Sequence, residues 1–267
     1  MRNGAAGIEK CISSLLRQTY SNLELIVSDN NSEDRTWELI NSFASNDGRV
    51  QPRRCYRNIG AFNNFKLCSA QACGDYIMAA AHDDVWSETF IEENLNTLEA
   101  NNRVVASIGK VTFVERGIFR YDSNGDYSID GSVRARLKDF FSIASDNSRF
   151  YSLFRAKVFE KAMSFEHPFH AADWYFSARS LLYGAHTRVE TCGITREVPE
   201  VNRYTLQVKQ DNAEWPFFLR SPLGPMIFKI ITTFPLSQSI QLMPQLWRLN
   251  RKKIRDCRSL KKKISVD

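Results

Sequence analysis

Three aliphatic segments, each stopped by a polar cluster and each flanked by a stretch of helical spacing, constrain this chain more than any other feature. Leu23-Glu24-Leu25-Ile26-Val27-Ser28 runs into Asp29-Asn30-Asn31-Ser32, which reads as a buried strand ended by a turn. Gln51 to Tyr56 is a second strand, followed by the turn Asn58-Ile59-Gly60, and Asp75-Tyr76-Ile77-Met78-Ala79-Ala80-Ala81 is a third, running into His82-Asp83-Asp84. Ile8, Cys11, Ile12, Leu15 and Leu16 fall on one face of a helix, predicted over 7–17. Trp37, Ile40 and Phe43 mark the inner face of the next helix, and 62–72 forms a third. Strands alternating with helices in this way predict parallel βαβ units and a mostly parallel, doubly wound α/β sheet. Such sheets bind ligands beyond the carboxyl ends of their strands. Those ends here carry Asp29, Asn58 and the pair Asp83-Asp84.

Past Trp86 the pattern changes. A helix is predicted over 88–99, then an antiparallel hairpin of 104–113 and 118–121 joined by Glu115-Arg116-Gly117. A helix over 133–144 follows, and another opens at Asp173-Trp174-Tyr175-Phe176 and ends at Gly184, where glycine would supply a left-handed cap. The longest apolar stretch, 222–244, is broken by Pro225, Lys229, Pro235, Gln238 and Gln241, so it falls short of the roughly 20 apolar residues of a spanning helix. Six cysteines without a CxxC pair exclude a zinc ribbon and fit a reducing compartment. Nothing at Met1-Arg2-Asn3-Gly4-Ala5 resembles a cleaved secretion signal, so a cytoplasmic location is expected. His167 and His170 lie close to Asp173 without a third ligand at metal spacing and read as solvated or core histidines.

Charge is concentrated at one end. From Arg248 onward there are nine Lys/Arg and two Asp, which leaves residues 1–247 at −1 out of a total of +6. A near-neutral body without an aromatic and basic platform speaks against nucleic acid. In the tail, Trp247, Ile254, Cys257, Leu260 and Ile264 fall near one helical stripe among Lys and Arg. A peripheral helix over 247–264, held by anionic headgroups at the inner face of the plasma membrane, is the expectation.

The segment Ser14-Leu15-Leu16-Arg17-Gln18-Thr19-Tyr20-Ser21-Asn22 through Leu23-Glu24-Leu25-Ile26-Val27-Ser28-Asp29-Asn30-Asn31-Ser32-Glu33-Asp34-Arg35-Thr36 closely resembles the opening helix, second strand and nucleotide loop of family 2 glycosyltransferases. Arg57-Asn58-Ile59-Gly60 with Asn63, then Gly74-Asp75-Tyr76-Ile77, then Asp83-Asp84-Val85-Trp86 follow in the family's order. The resemblance implies a GT-A fold (Rossmann-like α/β) and an inverting transfer of a sugar from a nucleoside diphosphate, UDP- or dTDP-linked, to a glycan or lipid-linked acceptor, in bacterial surface polysaccharide synthesis. It implies that Asp29 meets the base and that Asn31, Asn58, Gly60, Asp83 and Arg203 line the nucleotide sugar. Asp83 and Asp84 would hold Mg2+ or Mn2+, where Ala81 stands at the first acid of the usual motif. Ala171-Ala172-Asp173-Trp174-Tyr175 resembles the segment of the catalytic base, so Asp173 would be that base; Val198-Pro199-Glu200-Val201-Asn202-Arg203-Tyr204 resembles the segment that reaches back over the donor.

Domain boundaries follow: a GT-A domain over 1–215, with a nucleotide-binding half 1–100 and an acceptor half 101–215, then an amphipathic, basic helical extension over 216–267. Family members begin with an extended apolar strand, whereas this chain starts in the loop after it; a start upstream of Met1 is the expectation. The alternative is a truncated, inactive GT-A-like binding protein.

Overall fold

The computed structural model describes residues 1–143, 146–198 and 221–264. The first third is α1 (Ile8–Leu16), β1 (Leu25–Asp29), α2 (Thr36–Asn46), β2 (Val50–Arg54) and α3 (Ala61–Ser69). β1 and β2 run parallel, with Leu25 opposite Val50 and Asp29 opposite Arg54. The helical stripe read from the sequence does bury itself: Ile8 and Ile12 of α1 close on Val27, Ile40 and Val50. Apolar spacing thus fixes which face of each helix lies on the strands, and so which way the loops after β1 and β2 point.

The remaining elements are β3 (Tyr76–Met78), β4 (Val85–Trp86), α4 (Phe90–Ala100), β5 (Val104–Glu115), β6 (Ile118–Asp122), α5 (Val133–Ser142), a 3-10 turn Ser148–Tyr151, β7 (Leu153–Arg155), α6 (Ala156–Met163), α7 (Ala172–Ser180), β8 (Ala185–Glu197), α8 (Gly224–Thr233) and α9 (Leu236–Ile264). They build a second sheet in the order β3-β7-β5-β8-β4, with β6 on β5. The hairpin β5/β6 is as the sequence predicts.

Pairing departs from the mostly parallel sheet. Among the described residues only β1/β2 and β5/β8 are parallel, and β3/β7, β5/β7, β5/β6 and β4/β8 are antiparallel. β3 is also short, because the chain leaves the sheet after Met78 and the Ala81 carbonyl accepts from Asp84 N and Cys11 Sγ instead. β8, the longest strand, was not foreseen; its polar, alternating sequence carries no apolar run to announce it. Gly184 serves a different purpose from a left-handed cap: a Cβ there would lie 2.3 Å from Val105 Cγ1, so glycine lets the chain cross tightly against β5.

The largest core is aromatic. Phe150, Phe154, Phe159 and Phe176 meet edge to face at centroid distances of 4.9–5.7 Å, a geometry that aligns ring edges with ring faces. Leu223, Met226 and Ile230 of the α8 region and Leu242, Leu246 and Leu249 of α9 belong to the same cluster. The first half of the basic extension is therefore built into the body.

Phe176 is fully buried in that cluster, so Phe176→Ala should cost about 3–5 kcal/mol of unfolding free energy. Phe119→Ala, at a side chain 60% exposed, should change it by no more than about 0.5 kcal/mol. Urea unfolding of the two variants checks the contrast.

Candidate active site

At the carboxyl end of β1, Asp29 is fully buried. Its Oδ1 accepts from Ser32 N at 2.9 Å, which forms the turn, while Oδ2 lies 3.2 Å from Arg54 Nε. That approach gives an ion pair without hydrogen-bond alignment, and Oδ2 has no hydrogen-bond partner among the described residues. A buried carboxylate oxygen left this way is costly unless a donor reaches it. Beside it, Asn30 donates to Asn58 Oδ1 at 2.9 Å and accepts from Ile59 N at 2.9 Å. Asn58 Oδ1 also accepts from Gly60 N at 2.9 Å. The two loops after β1 and β2 are thereby tied together. Asn31 has a positive φ next to this bridge (62°), as has Gly60 (82°), where glycine carries no steric penalty.

Residues 1–7 connect this pair of loops to the acidic loop after β3. Met1 donates its amine to Ser28 O at 2.7 Å, and its carbonyl accepts from Asn30 N at 2.6 Å. Gly4 N donates to Thr36 Oγ1 at 2.8 Å. A Cβ on Gly7 would come within 2.9 Å of His82 O, so glycine lets the start of α1 rest directly on the His82-Asp83 backbone.

The acids of that loop have divergent surroundings. Asp83 is half exposed, with His82 Nδ1 3.8 Å from its carboxylate. Asp84 is 1% exposed and accepts from Arg196 Nε at 2.9 Å. Arg196, on β8, stacks its guanidinium 4.2 Å from the centroid of Tyr151 and 5.4 Å from that of Phe113. Burial pushes the Asp84 carboxyl up to about 6 despite that cation, and the Asp83 charge adds to the rise. Burial likewise pushes the Tyr151 phenol up to about 12, with Asp84, Asp173 and Asp83 adding to it against Arg196. Tyr151 is thus sensitive to the charges of both the acidic loop and Asp173.

Among the described residues, no three His, Cys, Asp or Glu side chains converge as a ready-made metal site. Asp84 is committed to Arg196, which leaves Asp83 as the acid with an accessible carboxylate. One carboxylate suits a hard cation such as Mg2+ or Mn2+ when substrate phosphates and water complete the shell.

Asp173 lies in the first turn of α7, where the helix dipole favours an anion. The helix begins at Ala172, so Asp173 is inside it, after a left-handed Ala171 (φ 66°). Asn147 Nδ2 donates to Asp173 Oδ2 at 3.0 Å, and Ser177 Oγ donates to Asn147 Oδ1 at 3.1 Å, fixing the amide. Burial pushes the Asp173 carboxyl above the ordinary carboxylate range, against the pull of Asn147, His170 and the Trp174 N–H. A carboxylate with raised proton affinity is a better base near neutral pH. It faces a cavity of about 220 Å³ that His170, Trp174, Leu223, Leu249 and Lys253 also line.

Asn30, Asn147, Tyr151 and Arg196 escaped the sequence reading. Asn30 adjoins a residue that was singled out, whereas the other three sit in no local motif; only the folding of the 3-10 turn and β8 toward the acids reveals them. Arg203 lies outside the described residues.

Residues 1–163 match the model of glycosyl transferase family 2. Glycosyltransferase GlyG of Streptococcus pneumoniae is 32% identical over 83 residues, 31% of this chain and 28% of that protein. The glucosyltransferase WfaP of Escherichia coli, named for UDP-Glc and α-D-GlcNAc-diphosphoundecaprenol, is 35% identical over 92 residues, 33% of this chain and 34% of that protein. The chain thus spans about a third of the length of these curated relatives. Among solved structures, Staphylococcus aureus TarS 1–349 with UDP-GlcNAc superposes with a TM-score of 0.61 at 14% identity, over 99% of this chain and 89% of that one. A Pyrobaculum calidifontis mannosyltransferase with GDP-Man and Mn2+ gives 0.56 at 14% identity, over 97% and 82%. At that identity the likeness speaks for the fold alone, which is GT-A.

Arg196→Met would strand Asp84 as a buried charge, at a cost of about 3 kcal/mol near neutral pH. The Asp84 carboxyl binds its proton more tightly in the folded chain, at about 6, than in the unfolded chain, near about 4. Its ionisation between those values favours unfolding, so the deficit of the variant should shrink as the pH falls from 7.5 to 5. Asp84→Asn combined with Arg196→Met should recover most of it. Urea unfolding at the two pH values tests both statements.

Proposed function

Because the chain belongs to glycosyl transferase family 2, we propose that it transfers a hexose or deoxyhexose, with inversion, from a UDP- or dTDP-linked donor to a glycan or lipid-linked acceptor. The setting of the proposal is bacterial surface polysaccharide synthesis on the cytoplasmic side of the membrane, supported by relatives named for diphosphoundecaprenol-linked substrates. The observation that carries the reading is Asp173, a half-buried carboxylate oriented by Asn147 and facing a cavity of about 220 Å³.

On the donor side, the orphan Oδ2 of Asp29 suits the imide N–H of uracil or thymine, which would relieve its unmet hydrogen-bonding capacity. Asn31 and the Asn58–Gly60 turn border the donor, and Arg203 is assigned to the diphosphate. Asp83 would hold Mg2+ or Mn2+ with the diphosphate oxygens, while Asp84, the other acid assigned to the metal, supports the loop through Arg196. Such a cation supplies Lewis-acid stabilisation of the departing diphosphate. Asp173 takes the proton of the acceptor hydroxyl as that oxygen forms its bond to the anomeric carbon. The bond from that carbon to the diphosphate oxygen breaks on the opposite face, and its electron pair leaves with the nucleotide. Attack opposite the leaving group inverts the configuration. Residues 1–100 serve the donor in this scheme and 101–215 the acceptor, with 216–267 as the basic extension.

Asp173→Asn should lower kcat by about 10²–10⁴-fold and leave donor-induced thermal stabilisation intact. Asn147→Ala removes a donor that favours the ionised base, so the acidic limb of the kcat/KM profile should move to higher pH. Asp83→Ala should abolish the Mn2+-dependent part of donor stabilisation. Thermal shift and nucleotide release with UDP-glucose, UDP-galactose, UDP-GlcNAc and dTDP-rhamnose, with Mn2+ or EDTA, measure these. A folded protein that answers to none of the donors would leave the inactive binding protein as the reading.

A further inference from the structure

α9 has one face in the core and a second apolar face that is exposed among the described residues. The first is the stripe Ser239, Leu242, Leu246, Leu249 and Asn250, all buried. Asn250 secures it by donating to Ser221 Oγ at 2.8 Å and accepting from Leu223 N at 3.1 Å. The sides of a packed helix that face water are polar as a rule. Here Leu236, Ile240 and Trp247 stand 70%, 61% and 55% exposed. At about 100° per residue they fall within about 40° of one another. On α8, Phe228 and Ile231, one turn apart, are 45% and 41% exposed. Five of the twelve large apolar side chains exposed among the described residues thus lie in 228–247, a concentration that marks a binding surface more than ordinary scatter.

Charge names the partner. Residues 215–255 contain no Asp or Glu, and Arg248, Arg251, Lys252 and Arg255 are exposed just beyond the apolar face. Apolar side chains followed along one helix by exposed cations match an anionic lipid surface, in which acyl boundary and headgroups lie a few ångströms apart. No described helix is long and apolar enough to cross a membrane.

We propose that α9 lies flat on an anionic bilayer, with Leu236, Ile240 and Trp247 in the acyl boundary and Arg248, Arg251, Lys252 and Arg255 among the phosphates. The contact surface shares Trp247 with the stripe read from the sequence tail and extends toward the start of α9; Cys257, Leu260 and Ile264 of that stripe have side chains outside the described set. The inference deepens the transfer reading and rests on it for its purpose. The inner flank of α9 supplies Leu249 and Lys253 to the cavity at Asp173, so a docked helix holds that cavity beside the membrane of a lipid-linked acceptor.

The test uses the full chain with phosphatidylcholine vesicles, with and without phosphatidylglycerol, in flotation and in quenching of tryptophan fluorescence by brominated acyl chains. Binding that requires phosphatidylglycerol and weakens with salt is expected, with quenching that Trp247→Phe removes and a partition coefficient at least about tenfold lower in the Leu236→Ser, Ile240→Ser, Trp247→Ser variant. Donor-induced thermal shift, measured in parallel, reports the fold and the nucleotide site. Vesicle binding without any donor response would keep the docking surface and sink the transfer reading. Folded wild-type protein that stays off anionic vesicles overturns the proposal. So does undiminished binding by the triple variant, or a solution dimer that the variant converts to monomer, which would assign the face to a second copy.

Discussion

The guanidinium of Arg149 is buried among rings, and both halves of the candidate site hang from the turn that it anchors. It is 1% exposed, lies 4.9 Å from the centroid of Tyr127 and 5.6 Å from that of Phe140, and donates to Tyr127 O at 3.1 Å. His186 Nδ1 is 3.4 Å away, and burial with two neighbouring guanidinium groups holds that imidazole neutral. Burial lowers Arg149 itself to about 10, still protonated at neutral pH. A cation enclosed this way keeps one arrangement, because moving it would strip it of its carbonyl and its ring faces. The residues on either side inherit that rigidity. Asn147 precedes the turn and holds Asp173; Tyr151 closes it and holds Arg196, and through Arg196 the acidic loop.

The two adjacent acids show how far one sequence position can change a role. Asp83 and Asp84 share a loop and a charge, yet a rotation of one residue aims Asp84 at β8 and leaves Asp83 toward solvent. A buried ion pair adds little net stability compared with apolar residues of the same volume, since both charges lose water. What it does is fix geometry: the loop after β3 has only one place where the Asp84 carboxylate is compensated. Asp83 then takes its orientation from a neighbour it does not touch.

What the sequence disclosed follows the range of the signals. α1, β1, α2 and the β5/β6 hairpin rest on local periodicity, and their residues are where the pattern puts them. Asp29, Asn58, Asp83 and Asp173 are legible because each sits at the end of a segment whose residue order is itself distinctive. β8 and the antiparallel returns of β4 and β7 depend on partners up to about a hundred residues away in the chain. β8 is central in the sheet, but bears His, Arg, Glu and Thr along much of its length, because its polar side chains satisfy one another across elements: His186 with Ser180 at 3.0 Å, Arg188 with Asp126 at 3.3 Å, Arg196 with Asp84. Arg196 and Asn147 could not be found by any window that omits those distant partners.

The tuning of Asp173 joins these threads. Its proton affinity is set by a contest between burial, which raises it, and the Asn147 amide, His170 and a helix N–H, which lower it. The burial comes from the aromatic core, from the N-cap of α8 and from α9, whose Leu223 and Leu249 wall the cavity. The opposing amide comes from the turn that Arg149 anchors. The strongest influence on each side of the balance lies outside the segment that carries Asp173, so a carboxylate copied with its local sequence into another scaffold would keep only the pull of His170 and the helix N–H. Proton affinity at this site is a property of the packed core, to which the first half of the basic helical extension belongs.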